Sequence, residues 1–161
     1  QLNRISSPVT ICVNVQANTL MPEITTRLPV GRAHMFFANE TEGCEIAPIL
    51  TMKGGAHFLA GSLNLQNGIV VTHGWEGATW HNRNAPLTVS PNIRSTLPLT
   101  TGCGDLLMAY TSLGFIVTKD RLHALRLGVA AGTLRAKRLL HEPTIQLQDI
   151  EHFAFTGCSV T

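Results

Sequence analysis

Charge is scarce in this chain: Asp, Glu, Lys and Arg make up 14% of its 161 residues, against about 25% in an ordinary soluble domain. Twelve Lys+Arg against ten Asp+Glu leave a net charge of +2. The basic residues form no block, so nothing in the composition calls for a nucleic-acid partner. Long hydrophobic runs are missing as well. Gly, Thr, Asn or Pro interrupts every apolar stretch well short of the roughly 20 residues that cross a bilayer, so no membrane segment is read. The opening QLNRISSPVTICVNV has no charged leader and no small-residue cleavage pattern, and no signal peptide is read there. It does not begin with Met, which is compatible with a processed chain or with a fragment whose first half lies elsewhere. Cys12, Cys44, Cys103 and Cys158 are too scattered for a C-x-x-C pair or a disulfide framework, which predicts a reducing, cytoplasmic setting.

Several catalytic signatures are also absent. There is no G-x-x-x-x-G-K-[ST] loop and no G-x-S-x-G elbow, and the seven histidines show neither H-x-x-x-H nor H-E-x-x-H spacing; a P-loop enzyme, a serine hydrolase and a histidine metal cluster are not supported. What is there is apolar surface. Hydrophobic residues are 44% of the chain, enough to build a core, so disorder is excluded and residues 1–161 are expected to form a single α/β domain.

The pattern alternates between β-like runs and helical stretches, which favours a sheet covered by helices. Strands are predicted over Val9–Val15, Ala33–Ala38 and Gly68–Thr72, with Ala78–His81 returning as a hairpin and Pro86–Ile93 as a strand or extended edge. Helices are predicted over Leu20–Leu28 and from Pro48 to Leu65. Asn39 is a good cap for a further helix that has Glu40 and Glu42 in its first turn. The last third reads as two helices. One starts near Asp105, presents Leu106, Ala109, Tyr110 and Leu113, and has Gly114 as its stop. The other runs from about Lys119 to Leu140 with Leu122, Leu125, Val129, Ala136 and Leu140 on one stripe, and its basic end carries Arg135, Lys137 and Arg138.

Three short segments carry chemistry. Thr100-Thr101-Gly102-Cys103-Gly104-Asp105 immediately precedes an amphipathic helix. Glycines there let a ligand approach the backbone, the helix's first amides favour an anion, and Asp105 is a carboxylate able to take a proton from an attacking hydroxyl. Asn39-Glu40-Thr41-Glu42 stands at a strand-to-helix junction, where an amide and a carboxylate one turn apart can meet hydrated Mg2+ or a phosphate chain. Thr72-His73-Gly74-Trp75-Glu76-Gly77 ends a strand with two glycines, as a loop lying against a nucleotide does. Taken singly, each segment equally describes an ordinary cap or hairpin turn. Trp75 and Trp80 flank the last of them and are candidates either for stacking on a base or for packing.

In this order the three segments resemble the C-terminal half of the ribokinase-like (PfkB) family of carbohydrate and nucleoside kinases. That family carries N-x-x-E, then a strand ending T-x-G-x-x-G, then a threonine-rich G-A-G-D signature that opens a long helix. The resemblance covers about Val9 to Ile150. It implies a layered α/β/α sheet with helices on both faces, incomplete because the N-terminal half is absent, since family members are close to twice this length. It implies transfer of the γ-phosphoryl group of ATP, with Mg2+, to a hydroxyl of a sugar or nucleoside. Asp105 is then the catalytic base, and Gly102, Cys103 and Gly104 form the anion hole. Asn39 and Glu42 organise Mg2+ and the phosphates, and Thr72, Gly74 and Gly77 belong to the nucleotide loop. Leu99 stands where the signature has an acidic or amide residue, which speaks against a monovalent-ion site. Cys103 replaces the usual alanine. Leu127-Gly128-Val129-Ala130 offers no asparagine to the adenine. The alternatives are a non-catalytic nucleotide-binding remnant and an interaction module of the same fold. A half-length chain with an open sheet edge would also suit a homo-oligomer or pairing with a missing N-terminal segment.

Overall fold

The computed structural model describes residues 12–14, 34–42, 67–82, 84–93, 101–137 and 145–161. Among the described residues, six strands and three long helices make a mixed α/β structure, and these strands follow one another across the sheet in chain order. The chain divides into two compact units, Gln1–Val71 with His81–Pro86, and Thr72–Trp80 with Leu87–Thr161.

In the first unit, β1 (Cys12–Asn14) runs parallel to β2 (Met35–Asn39), with Val13 opposite Phe36. Met35, Phe36, Phe37 and Ala38 are all buried, the unbroken apolar run of a strand covered on both faces. Next comes β3 (Ile69–Thr72), whose Ile69, Val70 and Val71 are buried in the same way. The Phe36 N–H donates to the Gly68 carbonyl at 3.1 Å, and the Asn67 N–H to that of His34 at 2.9 Å. The predicted helices over Leu20–Leu28 and Pro48–Leu65 lie outside the described residues, as do Leu99 and Thr100.

In the second unit, β4 (Ala78–His81) pairs antiparallel with β5 (Leu87–Pro91), and β5 pairs antiparallel with β6 (Cys158–Val160). Of the two readings of Pro86–Ile93, a strand or an extended edge, the strand holds, and it is paired on both sides. The sequence reading missed β6, three residues too short to show a periodicity, and β5 accepts it because Pro91, which lacks an N–H, takes the last position. Helix α1 (Cys103–Thr118) is longer than expected. Gly114 does not stop it; the chain turns at Lys119 (φ 59°), whose N–H donates to the Phe115 carbonyl at 2.9 Å. Asp120 then caps α2 (Arg121–Lys137), its Oδ1 accepting from the Leu122 and His123 N–H groups at 2.8 and 3.2 Å. A third helix, α3 (Leu147–Thr156), buries Ile150 and Ala154 one turn apart and packs on α2.

The buried face of α1 is not the expected one. Leu107, Thr111 and Gly114, at i, i+4 and i+7, are buried, whereas Ala109 and Leu113 are exposed and Leu106 and Tyr110 half-buried. The helix is apolar on most sides, so periodicity alone does not choose a face. Small residues choose it: Gly114 faces Ala124 and Leu127 of α2, and Gly128 of α2 faces Thr111 and the Leu107 carbonyl. Helix α2 is likewise buried beyond its expected stripe. Leu125 and Val129 are buried as predicted, but so are Ala124, Leu127, Ala130 and Ala131, because α1, α3 and β5 all pack against it.

Candidate functional site

The turn before α1 is set by its glycines. Gly102 is the N-cap with φ 80°, a left-handed conformation that strains any other residue. Its carbonyl accepts the first helical bond, from the Leu106 N–H at 3.1 Å. No side chain caps the turn, and the first amides of a helix have no partner within the helix itself. A side chain added at Gly104 would meet nothing within 4 Å. Gly104 and Asp105 are exposed and Cys103 is half-buried. Burial pushes the Cys103 thiol up, and the Arg135 guanidinium pulls it partly back.

Arg135 is a residue the sequence reading passed over, assigning it only to the helix dipole. Its Nε lies 3.8 Å from the position a Cβ would take on Gly102. The signal available in the sequence is the run Gly128, Gly132, Arg135, spaced i, i+4 and i+7, which puts two residues without side chains and one cation on a single helix face.

The Thr72–Gly77 segment forms a loop closed by the His73 N–H on the Gly77 carbonyl at 2.9 Å and by the Glu76 N–H on that of His73 at 3.1 Å. Its two glycines have different tasks. Gly77 (φ 101°) is buried so closely on β5 that a Cβ would overlap the Val89 carbonyl, whereas Gly74 (φ 59°) is exposed with nothing within 4 Å. His73 Nε2 is hydrogen-bonded to Thr79 Oγ1 at 2.9 Å, and Thr79 to Thr88 Oγ1 at 3.0 Å, so the loop is tied to β4 and β5. Thr72 is half-buried at the end of β3. Trp75 is 57% exposed on this loop, while Trp80 is fully buried, edge-on to Phe115 at 5.2 Å with the Arg121 guanidinium 5.7 Å from its ring.

Asn39 and Glu42 belong to the other unit and form a reciprocal cap. The Glu42 N–H donates to Asn39 Oδ1 at 2.8 Å, and the Asn39 N–H donates to Glu42 Oε2 at 2.7 Å. Residues 40–42 are helical beyond it. The cap uses only one oxygen of the Glu42 carboxylate. Among the described residues no group of three or more His, Cys, Asp or Glu could hold a metal ion, and no described helix is long and apolar enough to cross a membrane. Cys12, Cys103 and Cys158 form no disulfide among the described residues.

No family model and no curated protein sequence matches this chain. Solved structures do. The nucleoside kinase of Burkholderia thailandensis, in complex with inosine, superposes with a TM-score of 0.75 at 19% identity, over 92% of this chain and 48% of that one. The ribokinase of Thermotoga maritima gives 0.72 at 19%, over 96% and 51%. An E. coli protein described as ribokinase II, in complex with ATP and Mg2+, gives 0.69 at 20%, over 89% and 48%. The chain therefore has the ribokinase-like fold, and it spans about half the length of the kinases that share it.

Proposed function

We propose that this chain is the nucleotide-binding and catalytic part of a kinase that moves the γ-phosphoryl group of ATP to a hydroxyl of a sugar or nucleoside. The observation that carries the reading is the opening of α1, where a glycine turn with no side-chain cap stands beside an exposed carboxylate, Asp105. The fold neighbours include kinases bound to inosine and to ATP with Mg2+.

Asp105 accepts the proton of the acceptor hydroxyl as its oxygen attacks phosphorus, and the backbone amides after Gly102 hold the negative charge that develops there. Thr72 and Gly74 offer the nucleotide the exposed side of a loop that Gly77 anchors to β5. The Glu42 carboxylate, with no metal cluster among the described residues, suits Mg2+ held through water, since that ion keeps several of its own. ATP with Mg2+ supplies the transferable phosphoryl group and the charge that neutralises it. Reduced cysteines at 12, 103 and 158 fit a reducing, cytoplasmic setting.

Incubation of the chain with ATP, Mg2+ and a panel of sugars and nucleosides tests this reading. Phosphorylation of at least one acceptor is expected. Asp105→Asn should lower kcat by about 10²–10⁴-fold, the worth of a positioned base, while ATP binding measured by calorimetry stays within about twofold. Turnover unaffected by the substitution would remove Asp105 from the reaction.

A further inference from the structure

We propose that Arg135, on the last turn of α2, is a phosphate-binding residue of the site at the opening of α1. The identity of the ligand rests on the kinase reading above; the placement of Arg135 does not. Three residues on one face of α2 bring it there. Gly128 lets the α2 backbone close on Thr111 and on the Leu107 carbonyl. One turn on, Gly132 seats against the Cys103 carbonyl, 3.1 Å from where its Cβ would be. Arg135 follows three residues later, and its Nε comes within 3.8 Å of where a Cβ on Gly102 would stand. A side chain at either glycine would push the helices apart and withdraw the guanidinium from the turn.

The two basic residues in this last turn point to different neighbours. Lys137 Nζ lies 5.7 Å from the centre of the Phe153 ring on α3. Arg135 lies against the glycine turn. It is half-buried, which leaves it within reach of an anion. A guanidinium presents its N–H groups as a planar fork that matches two oxygens of one phosphate, which the first amides of a helix alone cannot do. The turn and the arginine therefore address the same anion from two helices.

The test is calorimetric titration of the chain with tripolyphosphate and, separately, with adenosine, for the wild type, Arg135→Gln and Arg135→Lys. Arg135→Gln should weaken tripolyphosphate binding about 10- to 100-fold, as expected for loss of a charge-assisted contact. Arg135→Lys should recover part of it, and adenosine binding should not change. A second readout uses no ligand: the Cys103 thiol should titrate higher in Arg135→Gln than in the wild type, followed by its alkylation rate against pH. Equal tripolyphosphate affinity in wild type and Arg135→Gln, or no tripolyphosphate binding by the wild type, would overturn the proposal. The partial recovery in Arg135→Lys separates it from simple unfolding. The two readings fail separately. Arg135-dependent tripolyphosphate binding without phosphoryl transfer would sink the kinase reading alone, and Asp105-dependent transfer with unchanged binding in Arg135→Gln would sink this one alone.

Discussion

Gly128 of α2 lies so close to Thr111 of α1 that a single methyl group on the glycine would overlap the threonine Oγ1. Thr111 is fully buried, and its neighbour at the contact is backbone, the Leu107 carbonyl, 2.7 Å from the same Cβ position. Neither can give way cheaply. Gly128→Ala should therefore cost about 1–3 kcal/mol through overpacking, lowering Tm by roughly 2–4 °C per kcal/mol in a chain of this size. Gly104→Ala, with open space around it, should leave Tm nearly unchanged. Thermal melts of the two variants check the contrast, and equal melting points would refute the close crossing.

Asn39 and Glu42 separate a structural role from a ligand role. Asn39→Ala removes the acceptor for the Glu42 N–H and should cost about 1 kcal/mol as a lost helix cap. Glu42→Gln keeps an oxygen for the Asn39 N–H but discards the charge. Its stability should change by less than about 0.5 kcal/mol, while the Mg2+ concentration needed for half-maximal activity rises. Melting curves and a Mg2+ titration read the two effects independently. A Glu42→Gln variant with an unchanged Mg2+ requirement would reduce this residue to a cap.

The two tryptophans should behave oppositely. Trp80→Ala empties the space against Phe115 in the core and should cost about 3–5 kcal/mol. Trp75→Ala removes an exposed ring and should change stability by no more than about 0.5 kcal/mol. Denaturant unfolding measures both.

Alkaline pH should destabilise the chain through Cys158. Burial pushes this thiol from 9.0 up to about 11, with Arg126 pulling partly the other way. The folded state thus holds its proton more tightly than the unfolded chain does, so the stabilisation is complete below about pH 9 and is lost as pH rises toward 11. Tm should fall across that window, and Cys158→Ala should fall less. The same burial should leave Cys158 the slower of the two thiols when Cys103 and Cys158 are alkylated at pH 8, as measured by peptide mass spectrometry. A flat Tm between pH 9 and 11 would contradict the assignment.

Much of the architecture was readable because it is decided within a few residues. Met35 to Ala38 form a continuous apolar run, and such a run is a strand buried on both faces. Asn39 followed three residues later by Glu42 is a reciprocal cap in almost any context. The order of the glycine turn, Asp105 and helix α1 follows from the need of Gly102 for a positive φ. Helix α3 was passed over although Ile150 and Ala154 carry its signal, because two apolar positions one turn apart are too few to stand out from a loop.

Local sequence determined the strands β2 and β3 through their unbroken apolar runs, and the cap at Asn39, the loop from Thr72 to Gly77 and the turn that opens α1 through backbone dihedrals and hydrogen bonds closed within a few residues. Tertiary structure alone decided which side of α1 is buried, which of the two tryptophans enters the core, and that Arg135 stands beside Gly102. Those outcomes depend on how closely two helix backbones can approach, and the approach is set by the glycines of one helix meeting particular residues of the other, a pairing no single segment contains.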